Sequence, residues 1–325
     1  MDRRAFLTWT AAALALPARA DEAAEPVLLV DHHQHLFSPA MARLLDTGAG
    51  GPPAIAGKDV IALLDTAGIR RAALLSVAYV WGSPARKIDD EYTKVRAEND
   101  FNGAQAALYP DRLRAFCSFN PLKNYALEEL ERCAALPDLK HGIKLHFGNS
   151  DVQLDVPEHV ARLRQVFAAA NAKKMAIVVH MRASVSKRRP YGAAQARIFL
   201  DELLPAAPDV TVQVAHLAGT GPGYDDPPSD EAVGVLAEAV AAHDARTKRL
   251  WFDVATMANP EITPPQREKL ARRIRQIGAD RVLFGSDAAA GKNLRPRESW
   301  AAFRQLPLTE AEFKRIAGNV APYMR

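Results

Sequence analysis

Val27-Leu28-Leu29-Val30-Asp31-His32-His33-Gln34-His35 is the stretch that decides the fold, because its apolar start runs directly into polar, metal-binding residue types. An open, doubly wound α/β sheet that binds a nucleotide would carry a glycine-rich turn directly after its first strand. Here that place holds an aspartate and three histidines. Seven more short apolar runs lie further along, at residues 72–77, 113–119, 142–146, 176–180, 210–216, 250–254 and 282–285. Each is compact, as a strand buried on both faces should be. Helical patterns separate them at 60–66, 95–108, 127–135, 158–172, 193–204, 231–242 and 265–277, and one more at 310–317 closes the chain. Strands alternating with helices imply crossover connections and a parallel sheet. Eight such units in roughly 300 residues predict an α/β protein with a (β/α)8 TIM barrel of eight parallel strands. Residues 219–230 predict a long loop after the sixth strand.

In such a barrel the site forms where strands end and loops begin. Side chains two apart on an extended chain point the same way, so Asp31, His33 and His35 project together while His32 and Gln34 point elsewhere. Two imidazoles on one face at the mouth make half of a zinc-type site, and imidazole also suits iron and nickel. A purely structural, histidine-rich strand end is the competing explanation. The fifth run is apolar until His180, the sixth until His216, and the eighth leads into Asp287. Packing accounts for any one of these. Four strand ends sending His or Asp to one rim point to a metal site.

Asp31-x-His33-x-His35, His180, His216 and Gly285-Ser286-Asp287, in that order on strands one, five, six and eight, resemble the amidohydrolase superfamily. The likeness is greatest to its amidohydrolase-related branch, which includes aminocarboxymuconate-semialdehyde decarboxylase-like enzymes and lactonases. Asn99 through Tyr109-Pro110-Asp111-Arg112 to Phe119-Asn120-Pro121 is similar to that branch as well. So are Gly142-Ile143-Lys144-Leu145-His146 and Gly318-Asn319-Val320-Ala321, and the likeness spans residues 21–325 as one domain. The resemblance implies His33, His35, His180 and Asp287 as ligands of one divalent ion, expected to be zinc. It implies Asp287 as general acid/base, and His216 as a nearby acid/base, an oxyanion stabiliser or a second-metal ligand.

Lys144 keeps three readings: a carboxylated bridge to a second ion, a cation for an anionic substrate, or a structural lysine. His146 is equally open. Tyr79, Trp81 and Arg182 are placed to line the mouth, which suits a small carboxylated or aromatic substrate, since arginine pairs well with carboxylate. The expected activity is metal-dependent hydrolysis of a C–O or C–N bond in a lactone, amide or ester. Non-oxidative decarboxylation by the same ligands is the alternative, and a non-catalytic metal- or solute-binding barrel is the second alternative.

The remaining features bound these readings. With 48% hydrophobic and 25% charged residues, the composition is that of an ordinary globular protein. A formal charge of +4, dispersed along the chain, gives no footprint for nucleic acid, and a nuclease is disfavoured. Residues 1–20 carry Arg3 and Arg4, a short apolar stretch and Ala18-Arg19-Ala20. That is the pattern of a signal peptide, with an Arg-Arg-x-Phe-Leu core similar to a twin-arginine signal, so export to the periplasm is expected. Its apolar stretch is too short for a lasting membrane anchor. Two cysteines, Cys117 and Cys133, make no disulfide framework and are expected as buried thiols. The sequence leaves homo-oligomer formation open.

Overall fold

The computed structural model describes residues 26–46, 48, 50–221, 226–288 and 293–325, so the expected signal at 1–20 lies outside the described residues. Its strands are β1 (Val30–Gln34), β2 (Arg71–Leu75), β3 (Leu113–Ser118) and β4 (Gly142–His146). They continue as β5 (Ala176–His180), β6 (Val212–Val214), β7 (Leu250–Asp253) and β8 (Val282–Leu283). Each pairs in parallel with the next, in chain order. The ring closes where His32 N donates to Phe284 O at 2.9 Å and Asp287 N donates to His33 O at 2.8 Å. This is the expected (β/α)8 barrel.

Several local features depart from the sequence reading. β1 starts at Val30 and runs through His32 and His33, because Val30, Asp31 and Gln34 take up the pairing with β2, with a register shift between Asp31 and Gln34. β6 stops at Val214 because residues 216–218 turn into left-handed backbone. Three short helices without a legible signal appear, at Pro39–Leu45, Phe147–Ser150 and Pro296–Phe303, the first and last begun by the proline that a first helical turn tolerates. The helix expected over 193–204 is broken into Ala193–Ile198, a π turn at Phe199–Leu203 and a 3-10 turn at Leu204–Ala206. Pro205 has no N–H to continue the ladder.

The outer layer follows from amphipathic spacing. The helix Pro264–Ile277 is capped by Thr263 and Gln266 and buries Leu270, Ala271, Ile274 and Ile277, three or four apart. Alternate residues of the strands face the lumen instead. Val30, Ala73, Leu75, Phe116, Ala176, Val178 and Leu283 pack there against Ala321 and against Tyr323 and Met324 of the C-terminal turn Pro322–Met324, which plugs the barrel floor. Gly142 makes room for this plug: a Cβ there would lie 2.2 Å from the Phe116 ring. Among the described residues no helix is long and apolar enough to cross a membrane.

Candidate metal centre

At the opposite, C-terminal end the strands surround a cavity of about 350 Å³. His33, His35, Tyr79, Lys144, His146, His180, His216 and Asp287 all line it. The strand ends dictate this convergence. His33 and His35 come from β1 and the residue after it, Lys144 and His146 from β4, and His180 from β5. His146 and His180 are register partners, so their rings stack with centroids 3.9 Å apart. Gly285 lets β8 close against β1, since a Cβ there would sit 2.7 Å from the His33 Cβ.

The outer hydrogen bonds fix which nitrogen of each imidazole faces the cavity. His35 Nδ1 lies 2.5 Å from Leu75 O and His216 Nδ1 lies 2.9 Å from Ala255 O. A carbonyl only accepts, so both Nδ1 atoms carry the proton and both Nε2 atoms carry a lone pair. His33 Nδ1 lies 3.0 Å from Asp253 Oδ2, which makes its Nε2 an acceptor as well. That nitrogen meets Lys144 Nζ at 3.1 Å.

Backbone strain sits at the same rim. His216, Leu217 and Ala218 have φ of 54, 46 and 67°, while Thr256 and Asp287 have 59 and 54°. Left-handed backbone costs roughly 1–2 kcal/mol per non-glycine residue. Cross-links hold these turns in place. Tyr191 Oη donates to Ala218 O at 2.6 Å, and His216 N donates to Asp253 Oδ1 at 2.9 Å.

Burial dominates the electrostatics. It lowers His35 to about 3 and holds His33, His146 and His180 well below the usual histidine range, with the Lys144 charge adding to the effect, so all are neutral. Burial also raises Asp287 to about 7, against the pull of Lys144, and lowers Lys144 to about 8. Burial alone would raise Asp253 too. Its contacts with His33 and the His216 amide outweigh that and keep it ionised.

This donor set fits a divalent cation. Among the described residues, His33, His35 and Asp287 form one group whose ligand atoms lie within 4.8 Å of one another. Asp287 Oδ1 is buried without a hydrogen bond, 3.3 Å from His35 Nε2. Since His35 carries its proton on Nδ1, two acceptors face each other there, and a cation or a proton must stand between them. In a second group, His33, His216 and Asp253, the ligand atoms likewise lie within 4.8 Å of one another. Asp253 uses its oxygens otherwise: it accepts from His33, Gln213 and the amides of His216 and Ala255. It therefore orients the imidazole behind the metal position, as outer partners of metal-bound histidines do.

The other expected residues fall in three places. His180 lines the cavity but belongs to neither compact group. Tyr79 lines it beside His146, with ring centroids 4.9 Å apart. Trp81 is outside the lining and packs in the core, with Lys94 Nζ 5.7 Å from its ring. Arg182 lines an adjoining cavity of about 360 Å³, where Asp226 holds its guanidinium through contacts of 2.5 and 3.1 Å. The sequence reading missed Asp253, although it ends an apolar strand just as His180 does.

A family model described as amidohydrolase matches residues 30–321. No curated protein matches the chain. Among solved structures it is similar to 5-carboxyvanillate decarboxylase from Sphingomonas paucimobilis, at 17% identity and a TM-score of 0.60, over 90% of this chain and 97% of that one. It is also similar to a probable 2-pyrone-4,6-dicarboxylic acid hydrolase from Acinetobacter baumannii, at 17% identity and 0.56, over 89% and 96%. A third is 5-carboxyvanillate decarboxylase from Novosphingobium aromaticivorans with bound manganese, at 15% identity and 0.60, over 92% and 97%.

Proposed function

The chain belongs to the amidohydrolase family, and from that premise we propose that it is an exported, zinc-dependent hydrolase of a C–O or C–N bond in a small carboxylated substrate. The observation that carries the reading is the buried Asp287 carboxyl, whose Oδ1 has no hydrogen bond and lies 3.3 Å from the lone pair of His35. His33, His35 and Asp287 would hold one ion, with His180 as the further ligand. When bound, the ion supplies a Lewis acid for a substrate carbonyl and brings the pKa of water towards about 7.

The chain's own groups complete the chemistry. Asp287 can accept a proton from water and return it to the leaving oxygen or nitrogen. His216 presents a lone pair rather than an N–H, so it serves as a proton acceptor or ligand and not as an oxyanion donor. Lys144 is the cation in the cavity, placed to hold a substrate carboxylate or a developing oxyanion. Its contact with His33 Nε2 uses the lone pair that a metal would take, so loading the site requires Lys144 to release that imidazole. With Arg182 committed to Asp226, we assign distal charge recognition to Arg86. That side chain is half-buried in the adjoining cavity, and among the described residues no hydrogen bond or ion pair ties its guanidinium.

Decarboxylation is the second reading, supported by the likeness to the two carboxyvanillate decarboxylases. The test is a panel of carboxylated lactones and phenolic acids given to zinc-loaded protein, with released acid and CO2 measured separately. Acid without CO2 supports hydrolysis, and CO2 alone replaces it with decarboxylation. Turnover of nothing across the panel, with one equivalent of metal bound, turns the assignment to a binding barrel. Export is tested by replacing Arg3 and Arg4 with Lys, which should leave the protein in the cytoplasm.

A further inference from the structure

We propose that Tyr323 and Gln213 are positioning residues for the metal centre, so that the turn plugging the barrel floor holds the His33 imidazole through one buried chain of hydrogen bonds. The Tyr323 hydroxyl donates to Gln213 Oε1. Gln213 Nε2 donates to Asp253 Oδ2 at 2.6 Å, and the same oxygen accepts from His33 Nδ1 at 3.0 Å. The other oxygen of Asp253 accepts from the amides of His216 and Ala255, at 2.9 and 3.1 Å. The four side chains come from the C-terminal turn, β6, β7 and β1, and cross the lumen from floor to mouth. Gln213, Asp253 and His33 are fully buried and Tyr323 is 9% exposed.

The chemistry of the chain is directional. An amide can be turned end for end, and the inverted form would set its oxygen against the Asp253 carboxylate. The Asp253 carboxylate, which only accepts, rules this out, and the Tyr323 hydroxyl donates to the Oε1 left facing it and so holds the amide in place. Burial, with Asp253 and Asp31 nearby, pushes the Tyr323 phenol well above its ordinary range, so it remains a donor. Gln213 is thereby bound to donate to Asp253, which shares its Oδ2 between Gln213 and His33. The chain sets how firmly Nδ1–H is held and how Nε2 is aimed. Tyr323 also packs edge-on to Phe116, with centroids 5.0 Å apart, so simple plugging of the floor is the rival explanation.

The functional consequence rests on the proposed metal centre, and the experiment separates the two. Chelator-stripped protein is titrated with Co2+. Tyr323→Phe keeps the ring and should weaken Co2+ about 3–10-fold, while Gln213→Leu should weaken it about 10–100-fold, the range for outer partners of ligating histidines. Met324→Ala, a fully buried neighbour in the same turn but outside the chain of hydrogen bonds, should lower Tm and leave the Kd unchanged. Wild-type affinity in folded Tyr323→Phe, or equal weakening by Met324→Ala, overturns the proposal. A metal-free readout accompanies it: in 15N-histidine-labelled protein the His33 Nδ1 resonance should shift in both Tyr323→Phe and Gln213→Leu. An unmoved resonance overturns the chain even if metal binds. Absence of Co2+ binding in the wild type would instead overturn the metal centre and leave the resonance to decide this proposal.

Discussion

The two ends of the same barrel are built on opposite terms. The floor is mainly apolar: Phe116, Leu283, Ala321 and Met324 interlock, and Arg71 and Arg114 tie the backbone carbonyls of residues 323–325, with Arg71 Nε the buried polar atom left without a partner there. The mouth gathers neutral imidazoles, a buried ammonium, a carboxylate oxygen without a hydrogen bond and five left-handed residues. Polar groups buried without partners cost roughly 1–3 kcal/mol each, and left-handed backbone adds to that. The barrel's floor and outer layer thus stabilise what its mouth destabilises. Left-handed backbone and an unmet carboxylate oxygen gather at the end where the proposed chemistry would take place.

The sharpest way to break this comparison is at Asp287. Asp287→Asn should lower turnover by about 10³-fold or more, the scale for removing a group that moves protons and holds the metal. In metal-free protein the same change removes a buried, poorly satisfied carboxylate, so Tm measured by calorimetry should hold or rise. A large fall in Tm would mean that Asp287 is structural. Leu283→Ala at the floor should do the reverse. It should cost about 3 kcal/mol of stability, read from denaturant unfolding. Metal content of the folded variant should stay at the wild-type equivalent.

The contrast also explains what the sequence made legible. Strand order and the His33, His35, His180, His216 and Asp287 rim could be seen because a buried parallel strand is a continuous apolar run, and a polar residue that ends it stands out. Asp253 carries the same signal in Leu250-Trp251-Phe252-Asp253, but a single carboxylate at a strand end does not by itself announce a partner for His33. The features that stayed hidden depend on contacts distant in sequence. Arg182 loses its freedom to Asp226, 44 positions away in a loop with no periodic pattern. Trp81 turns into the core rather than the mouth, and no spacing reveals that. Arg86 lies on a loop, where periodicity is silent. The short helices Pro39–Leu45 and Pro296–Phe303 are too brief for a helical period to be seen.

Between the extremes lies the cavity that adjoins the mouth. Arg86→Gln should raise KM for a carboxylated substrate about tenfold, or ~1.4 kcal/mol, with kcat nearly unchanged, because a distal charge contact is made equally in ground and transition states. The uncharged analogue of the same substrate should show no difference between variant and wild type. A fall in kcat at constant KM would place Arg86 in the reacting geometry instead.

The smallest effect tests whether strain at the mouth is kept for function. Thr256 and Lys174 both hold left-handed backbone, with φ of 59 and 58°. Thr256 is at the mouth, and its Oγ1 lies 3.3 Å from His216 Nδ1. Lys174 lies at the other end, exposed in the turn that leads into β5. Glycine relieves the steric cost at either position, offset by the greater freedom it gives the unfolded chain, for a net gain of about 0.5–1 kcal/mol each. Lys174→Gly should show that gain in Tm and leave turnover alone. Thr256→Gly should show a similar gain and lose turnover several-fold, because the turn that supports His216 is then free to relax. Equal, silent stabilisation by both would mean that the strained turns at the mouth are incidental, and the division of labour between the two ends would then rest on the side chains alone.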